Sequence, residues 1–211
     1  MEIEDKEFSL EMPPVETGGC SILMIGSTRS GKSTALKHIL DHYFKKHIGV
    51  LFSQSIKANA YKDMHYPNLA RGCAYVPEII HDAYVINKET NNHYPFLFIL
   101  DDHPLVRADK ELLKLTTIYR NSGLSSIVCA QNIGMLNPTC RSNINFILLF
   151  ALNNTEAIEK TIKCFLRGYF PQGMNYDEKI KLYKELTDDH HFLFINNLNG
   201  SIHRCKIKIG K

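Results

Sequence analysis

The run Gly26-Ser27-Thr28-Arg29-Ser30-Gly31-Lys32-Ser33 spells G-x-x-x-x-G-K-[ST], a spacing whose chemistry is phosphate binding. The glycines let the backbone wrap so that successive N–H groups point inward at phosphate oxygens, and a helix starting near Lys32 adds the positive end of its dipole. In that arrangement Lys32 reaches the β- and γ-phosphates of ATP and Ser33 ligates Mg²⁺. The expected cradle runs from Gly26 through Ser27, Thr28, Arg29, Ser30, Gly31, Lys32 and Ser33 to Thr34. Two acids, Asp101 and Asp102, follow directly on the apolar run FLFIL. Asp101 suits the metal's water shell, facing Ser33, and Asp102 suits a general base for the attacking water. Gln131 ends another apolar run, where its amide can bond both a γ-phosphate oxygen and that water. The plainer alternatives are a helix N-cap for Asp102 and a turn for Gln131.

These residues need elements that hold them at chain junctions, and the apolar pattern supplies such elements. Cys20 to Ile25 (CSILMI) reads as a strand buried on both faces, preceded by the breaker Gly18-Gly19. A helix is expected from Lys32 to about Lys46, with Ala35, Leu36, Ile39, Leu40 and Tyr43 at helical spacing. Ile48 to Phe52 reads as the next strand, and Ser53 to Asn92 as a mixed region with short helices around Ile56 to Lys62 and Pro77 to Ile86. Phe96 to Leu100 is a second buried strand, expected beside the first. Lys110 to Ser122 is expected to be helical, with Gly123 as its left-handed stop. Strands Ser126 to Ala130 and Asn145 to Leu152 follow, then a helix from Thr155 to Leu166. Phe192 to Ile195 and Ile202 to Ile209 are expected to form a hairpin turning at Asn199-Gly200. The alternation predicts an α/β fold, a mostly parallel sheet flanked by helices. A single domain over residues 1–211 is expected, with an N-terminal arm at 1–17 and a C-terminal hairpin at 192–209.

Composition narrows the class. The 44% apolar and 22% charged content is that of an ordinary globular chain, well outside the disordered range. The start, MEIEDKEFSLEMPP, carries acids where a signal peptide needs positive charge, so no secretion is expected. The longest apolar stretch, Ile144 to Leu152, is about half of the ~20 residues a membrane helix requires, so no membrane segment is expected. The cysteines, Cys20, Cys73, Cys129, Cys140, Cys164 and Cys205, show no C-x-x-C pairing and are expected to be reduced and mostly buried. Cys140 with His190-His191 is too irregular for a zinc site, and none is expected. A net charge of +3 permits DNA binding without implying it. Lys57, Lys62, Arg71, Arg107 and Lys110 form no diagnostic pattern and read as solvated charges.

With the phosphate loop, the Asp101-Asp102 pair and Gln131 in this order, the chain resembles the FtsK–HerA group of DNA-pumping ATPases. Tyr119-Arg120-Asn121-Ser122-Gly123-Leu124 before the Gln131 strand, and Asn143-Ile144-Asn145-Phe146 leading into LLFAL, look like further stretches of that group. The compact length and FLFILDD resemble most the poxvirus-type genome-packaging ATPases of large DNA viruses. The likeness runs from about Cys20 to Leu166. It implies a RecA-like sheet and a homo-oligomeric ring that threads double-stranded DNA without sequence choice. It also implies capsid proteins as further partners and a site of action in the host cytoplasm where virions assemble. An arginine acting on a neighbouring subunit's ATP is implied at Arg120, with Arg141 as the other candidate. Nothing in the sequence gives Arg120 a task within its own subunit. Asp102 stands where cellular relatives usually carry the longer Glu, which bears on its role as base.

Two other readings use the same loop. A nucleotide or small-molecule kinase needs an arginine-bearing lid, and after Asn154 the chain offers only Arg167 before the terminal hairpin. A regulatory switch that binds ATP and turns it over slowly would leave Asp102 and Gln131 incidental.

Overall fold

The computed structural model describes residues 3–13, 18–55, 66, 68–101 and 109–208. Its centre is a sheet of eight strands: β1 (Ser21–Ile25), β2 (Ile48–Ser53), β3 (Leu69–Gly72), β4 (Phe96–Asp101), β5 (Leu124–Ala130), β6 (Phe146–Leu149), β7 (Phe192–Asn196) and β8 (Ser201–Cys205). Across the sheet the order is β3-β2-β4-β5-β1-β6-β7-β8. Strands β3 through β6 in that order run parallel, whereas β7 is antiparallel to β6 and β8 to β7. Among the described residues the α-helices are α1 (Lys32–Tyr43), α2 (Pro77–Glu89), α3 (Lys110–Thr116), α4 (Pro138–Ser142), α5 (Thr155–Thr161) and α6 (Tyr176–Leu186).

Side chains alternate across the strands, so each strand feeds two cores. Ile22, Met24, Leu97, Ile99, Ile127 and Leu148 pack on one face with Ala35, Leu36, Ile39 and Leu40 of α1. Phe8 and Leu10, from the segment that precedes β1, are buried in the same cluster. That segment is also hydrogen-bonded to β8, through Lys6 N to Arg204 O and Arg204 N to Glu4 O, both at 2.9 Å. Leu23, Ile25, Phe98, Leu100, Val128 and Leu149 face the other way. They are covered by Ile80 of α2, Leu112 and Leu115 of α3, Ile158 of α5 and Tyr183 of α6.

Several sequence expectations need correction. β4 is not a direct neighbour of β1: β5 lies between them, because β5 pairs with both. The helix expected over Lys110 to Ser122 stops at Thr116 and resumes as a 3₁₀ turn, Tyr119–Ser122, ended by Gly123 at φ 76°. A left-handed stop of that kind is where glycine has no steric penalty. The helix expected to Leu166 becomes a π turn over Ile162–Leu166. The strand expected over Asn145 to Leu152 is only Phe146–Leu149, and the last strand ends at Cys205 rather than Ile209. β3, α4 and α6 have no counterpart among the expected elements. The short helix expected around Ile56 to Lys62 lies outside the described residues.

Cys20, Cys129, Cys140 and Cys205 are buried and Cys73 and Cys164 are exposed. Burial pushes the Cys20 thiol up to about 12, which keeps it protonated and unreactive. Among the described residues no helix is long and apolar enough to cross a membrane, and no cluster of three or more His, Cys, Asp or Glu is suited to a metal.

Candidate functional site

β1 ends at Ile25 and α1 begins at Lys32, so Gly26 to Gly31 form a loop at the carboxyl end of a central strand. The loop is anchored on both sides: Gly26 N donates to Ala130 O at the end of β5 (3.2 Å), and Ser27 N donates to Ala151 O just past β6 (2.9 Å). Arg29 (φ 64°) and Gly31 (φ 103°) take left-handed backbone conformations that curl it. Gly26 is required by space, because a Cβ there would lie 2.6 Å from both Phe150 Cβ and Ser30 Oγ.

The loop's electrostatics suit an anion. Gly31 is the N-cap of α1, no side chain caps the helix, and its first turn contains no acid. The N–H groups of that turn have no intrahelical partner, and the dipole places positive potential there. The Lys32 side chain is buried at 9% exposure and its Nζ donates to Gly26 O (2.6 Å) and Ser27 O (2.8 Å). An ammonium folded inside the loop's own carbonyls is already desolvated and can turn toward a phosphate. Ser30 Oγ is fully buried without a hydrogen-bond partner, a polar atom whose cost is relieved by a group bound at the loop. The loop thus fits a phosphate chain on three separate observations.

A cleft of about 330 Å³ opens over the loop, lined by Thr28, Lys32, Ser33 and Thr34 on one wall and Asp101 on another. Asp101 is the last residue of β4, in register with Cys129 of β5 and Ser53 of β2, and is 6% exposed. The strand that separates β4 from β1 therefore does not keep Asp101 from the cleft that Ser33 lines. A serine hydroxyl and a carboxylate on one cleft with a phosphate loop are the oxygen ligands a Mg²⁺–nucleotide requires.

Gln131, placed just beyond β5, is exposed and lies in an adjoining cleft of about 370 Å³ with Ser27, Thr28, Asn153 and Glu156. The two clefts share Thr28, so Gln131, at the tip of the strand between β4 and β1, also flanks the loop. Asp102 lies outside the described residues, as do Lys57, Lys62 and Arg107.

The arginines sit elsewhere. Arg120 donates from Nη1 to Asn143 O (3.1 Å) and Asn145 Oδ1 (3.3 Å), and its own carbonyl accepts from Gly19 N (2.7 Å). This corrects the expectation that it has no task within its subunit: it ties together the amino ends of β1, β5 and β6. Asn145 bonds Ser21, the first residue of β1, so Arg120 is a full strand, roughly 16 Å, from the phosphate loop. It does not line the cleft over its own phosphate loop. Arg141, on α4, donates to Cys164 Sγ at 3.2 Å. Arg71 and Lys110 are exposed, and Cys140 is buried in the core while His190 lines the phosphate-loop cleft.

The cleft is also lined by residues that no motif marks: Phe150, His190, Phe192, Lys206 and Ile207. They arrive because β7 runs antiparallel to β6 and β8 returns along β7. Tyr183 of α6 holds the corner by donating to Phe150 O at 2.7 Å.

A phosphate loop at the tip of a central strand, an acid ending the strand two places away, and a mostly parallel sheet define the RecA-like P-loop NTPase fold. The chain belongs to the family of the poxvirus A32 protein, whose model matches residues 16–166. That span contains the phosphate loop, both aspartates, Arg120, Gln131 and Arg141. Protein 015R of Frog virus 3 (isolate Goorha) is 29% identical over 176 residues, covering 78% of this chain and 54% of that protein. The chain thus spans about half the length of that relative. Protein 075L of Invertebrate iridescent virus 6 is 26% identical over 194 residues, covering 85% of this chain and 71% of that one. Among solved structures, the genome packaging NTPase B204 of Sulfolobus turreted icosahedral virus 2, in complex with AMP, superposes with a TM-score of 0.65 at 14% identity. The match covers 90% of this chain and 98% of that one, and shows a shared fold.

Proposed function

We propose that this protein is the ATP-hydrolysing motor subunit that drives double-stranded DNA into the capsid of a large DNA virus. The observation that carries the reading is the single cleft in which Lys32, Ser33 and the buried Asp101 meet. Membership of the A32 family and the fold shared with a genome packaging NTPase supply the direction of that chemistry. In this reading the loop from Gly26 to Thr34 binds the ATP phosphates, and Ser33 and Asp101 hold Mg²⁺. A Mg²⁺ held by Ser33 and Asp101 would supply charge neutralisation for the transferred phosphoryl group. Asp102, next in the chain after Asp101, orients or deprotonates the water, and Gln131 approaches the γ-phosphate from the tip of β5.

Subunits assemble as a ring, so that Arg120 or Arg141 of one subunit serves the ATP of the next. The distance of Arg120 from its own loop supports a task in trans over one in cis. DNA is held through its phosphates without sequence choice, with capsid proteins as further partners at the cytoplasmic assembly site.

Phosphate release from ATP, measured with and without linear duplex DNA, tests the proposal. The expected result is a rate that rises with DNA of any sequence and loses the stimulation as salt increases from about 50 to 200 mM, because counterion release dominates binding. A rate indifferent to DNA but dependent on an added acceptor would identify a kinase instead. Slow turnover under every condition would identify a switch.

A further inference from the structure

The cleft over the phosphate loop is lined by more than the loop and the acid that would hold a metal. Asp101 lines it from β4, and His190, Phe192, Lys206 and Ile207 line it from β7 and β8 or the segments beside them, on the opposite side of β1. The strand order fixes which way a nucleotide lies. β4 and β5 are on one side of β1, and β6, β7 and β8 are on the other. If Asp101 and Ser33 hold the metal at the γ-phosphate end, as the proposed function requires, the nucleoside must lie toward β6–β8.

The chemistry at that end is that of a base-binding slot. Phe150 and Phe192 are buried with ring centroids 4.9 Å apart and tilted by 33°, forming an apolar wall, and Ile207 is half-buried beside them. His190 is exposed and overhangs the loop: a Cβ on Gly31 would be 3.8 Å from its Nδ1. Its imidazole is an accessible flat face at the mouth of an otherwise apolar slot. A nucleobase can be gripped there by stacking, which needs a π-face and little hydrogen-bond geometry.

The backbone bearing His190 is strained. Asp189 (φ 50°) and His190 (φ 59°) are consecutive left-handed residues, neither of them glycine, a conformation that persists only where its surroundings enforce it. Here Lys206 pairs with Asp189 at 2.6 Å, Asp189 N donates to Asp188 Oδ1 at 2.8 Å, and His191 N donates to Asp188 O at 3.0 Å. The hydrogen bond and charge of Lys206 hold the Asp189 carboxyl below the usual carboxylate range, so the clamp is ionised at neutral pH. It links the turn before β7 to the segment after β8, the two pieces that carry His190 and Ile207.

We infer that this clamped turn and the end of β8 form the nucleoside subsite, with His190 stacking on a purine base above Ile207 and the Phe150–Phe192 wall. The inference rests on the proposed ATPase reading for the direction of the phosphates. Isothermal titration of the full chain with Mg²⁺-ATP and, separately, with Mg²⁺-tripolyphosphate tests it. Wild type is expected to bind ATP more tightly than tripolyphosphate. His190→Ala is expected to weaken ATP about ten-fold with tripolyphosphate affinity unchanged, and His190→Phe is expected to restore ATP binding. Unchanged ATP affinity in His190→Ala, equal loss of both ligands, or equal wild-type affinity for the two would overturn the subsite and leave the ATPase reading standing. A wild-type protein that binds neither ligand would overturn the ATPase reading and the subsite with it.

Discussion

Replacing Lys32 with alanine is expected to abolish ATP binding at concentrations that saturate the wild type. The ammonium is buried in the loop and donates to the carbonyls of Gly26 and Ser27, and of the other cations that line the cleft, Lys206 is paired with Asp189 and Arg29 belongs to the loop itself. Truncating one partner of a buried, charge-assisted contact costs about 3 kcal/mol, or more than a hundred-fold in affinity. The thermal midpoint gives a direct readout. ATP at 100 times its Kd stabilises a protein by about 2.7 kcal/mol, which for a chain of this size raises Tm by roughly 5–10 °C. Wild type should show that rise and Lys32→Ala should not, while their Tm values without nucleotide stay close enough to show a folded variant. An equal ATP-induced rise in both would remove Lys32 from the site.

Asp101→Asn is expected to separate binding from hydrolysis. The substitution keeps size and shape at the end of β4 and removes the charge that faces the cleft shared with Ser33. Lys32, the loop amides and the helix dipole still hold the phosphates, so ATP affinity should change by less than about ten-fold. Turnover should fall by about 10²–10³, the range seen when a single electrostatic contact to the transition state is lost, and higher Mg²⁺ should recover only part of it. Wild-type turnover in Asp101→Asn would mean that the metal is held elsewhere.

The sequence makes the phosphate end of the site legible because every residue there is local. The loop, the strand before it and the helix after it occupy one stretch from Ser21 to Tyr43, and FLFIL running into Asp101 is likewise contiguous. Strands buried on both faces announce themselves as apolar runs, as Ile22 to Ile25 of β1 and Phe96 to Leu100 of β4 do, and as the shorter Ile127 to Ala130 of β5 does after its two serines. β3 does not: its four residues, LARG, are partly exposed at the sheet edge. In α6 the buried positions are only Ile180 and Tyr183, too sparse for a helical stripe, although the Asn175–Glu178 capping box is readable at its start.

Strand order and the nucleoside end are not local. That β5 separates β1 from β4 follows from long-range pairing, and His190 and Ile207 meet the loop through two antiparallel pairings made after β6. Arg120 illustrates the same limit. Its neighbours in sequence suggest an exposed helix end, whereas its hydrogen bonds lead to Asn143 and Asn145, distant in sequence and just ahead of β6.

The most direct test of the motor reading is movement of the protein along DNA. A linear duplex carrying a short third strand bound in its major groove reports passage, because a translocating ring displaces the third strand. ATP with wild-type protein should release the third strand at a rate that grows shorter in delay as the protein is loaded closer to it. A non-hydrolysable ATP analogue, or the Lys32→Ala protein with ATP, should leave it in place. DNA-stimulated ATP hydrolysis without any release of the third strand would contradict translocation.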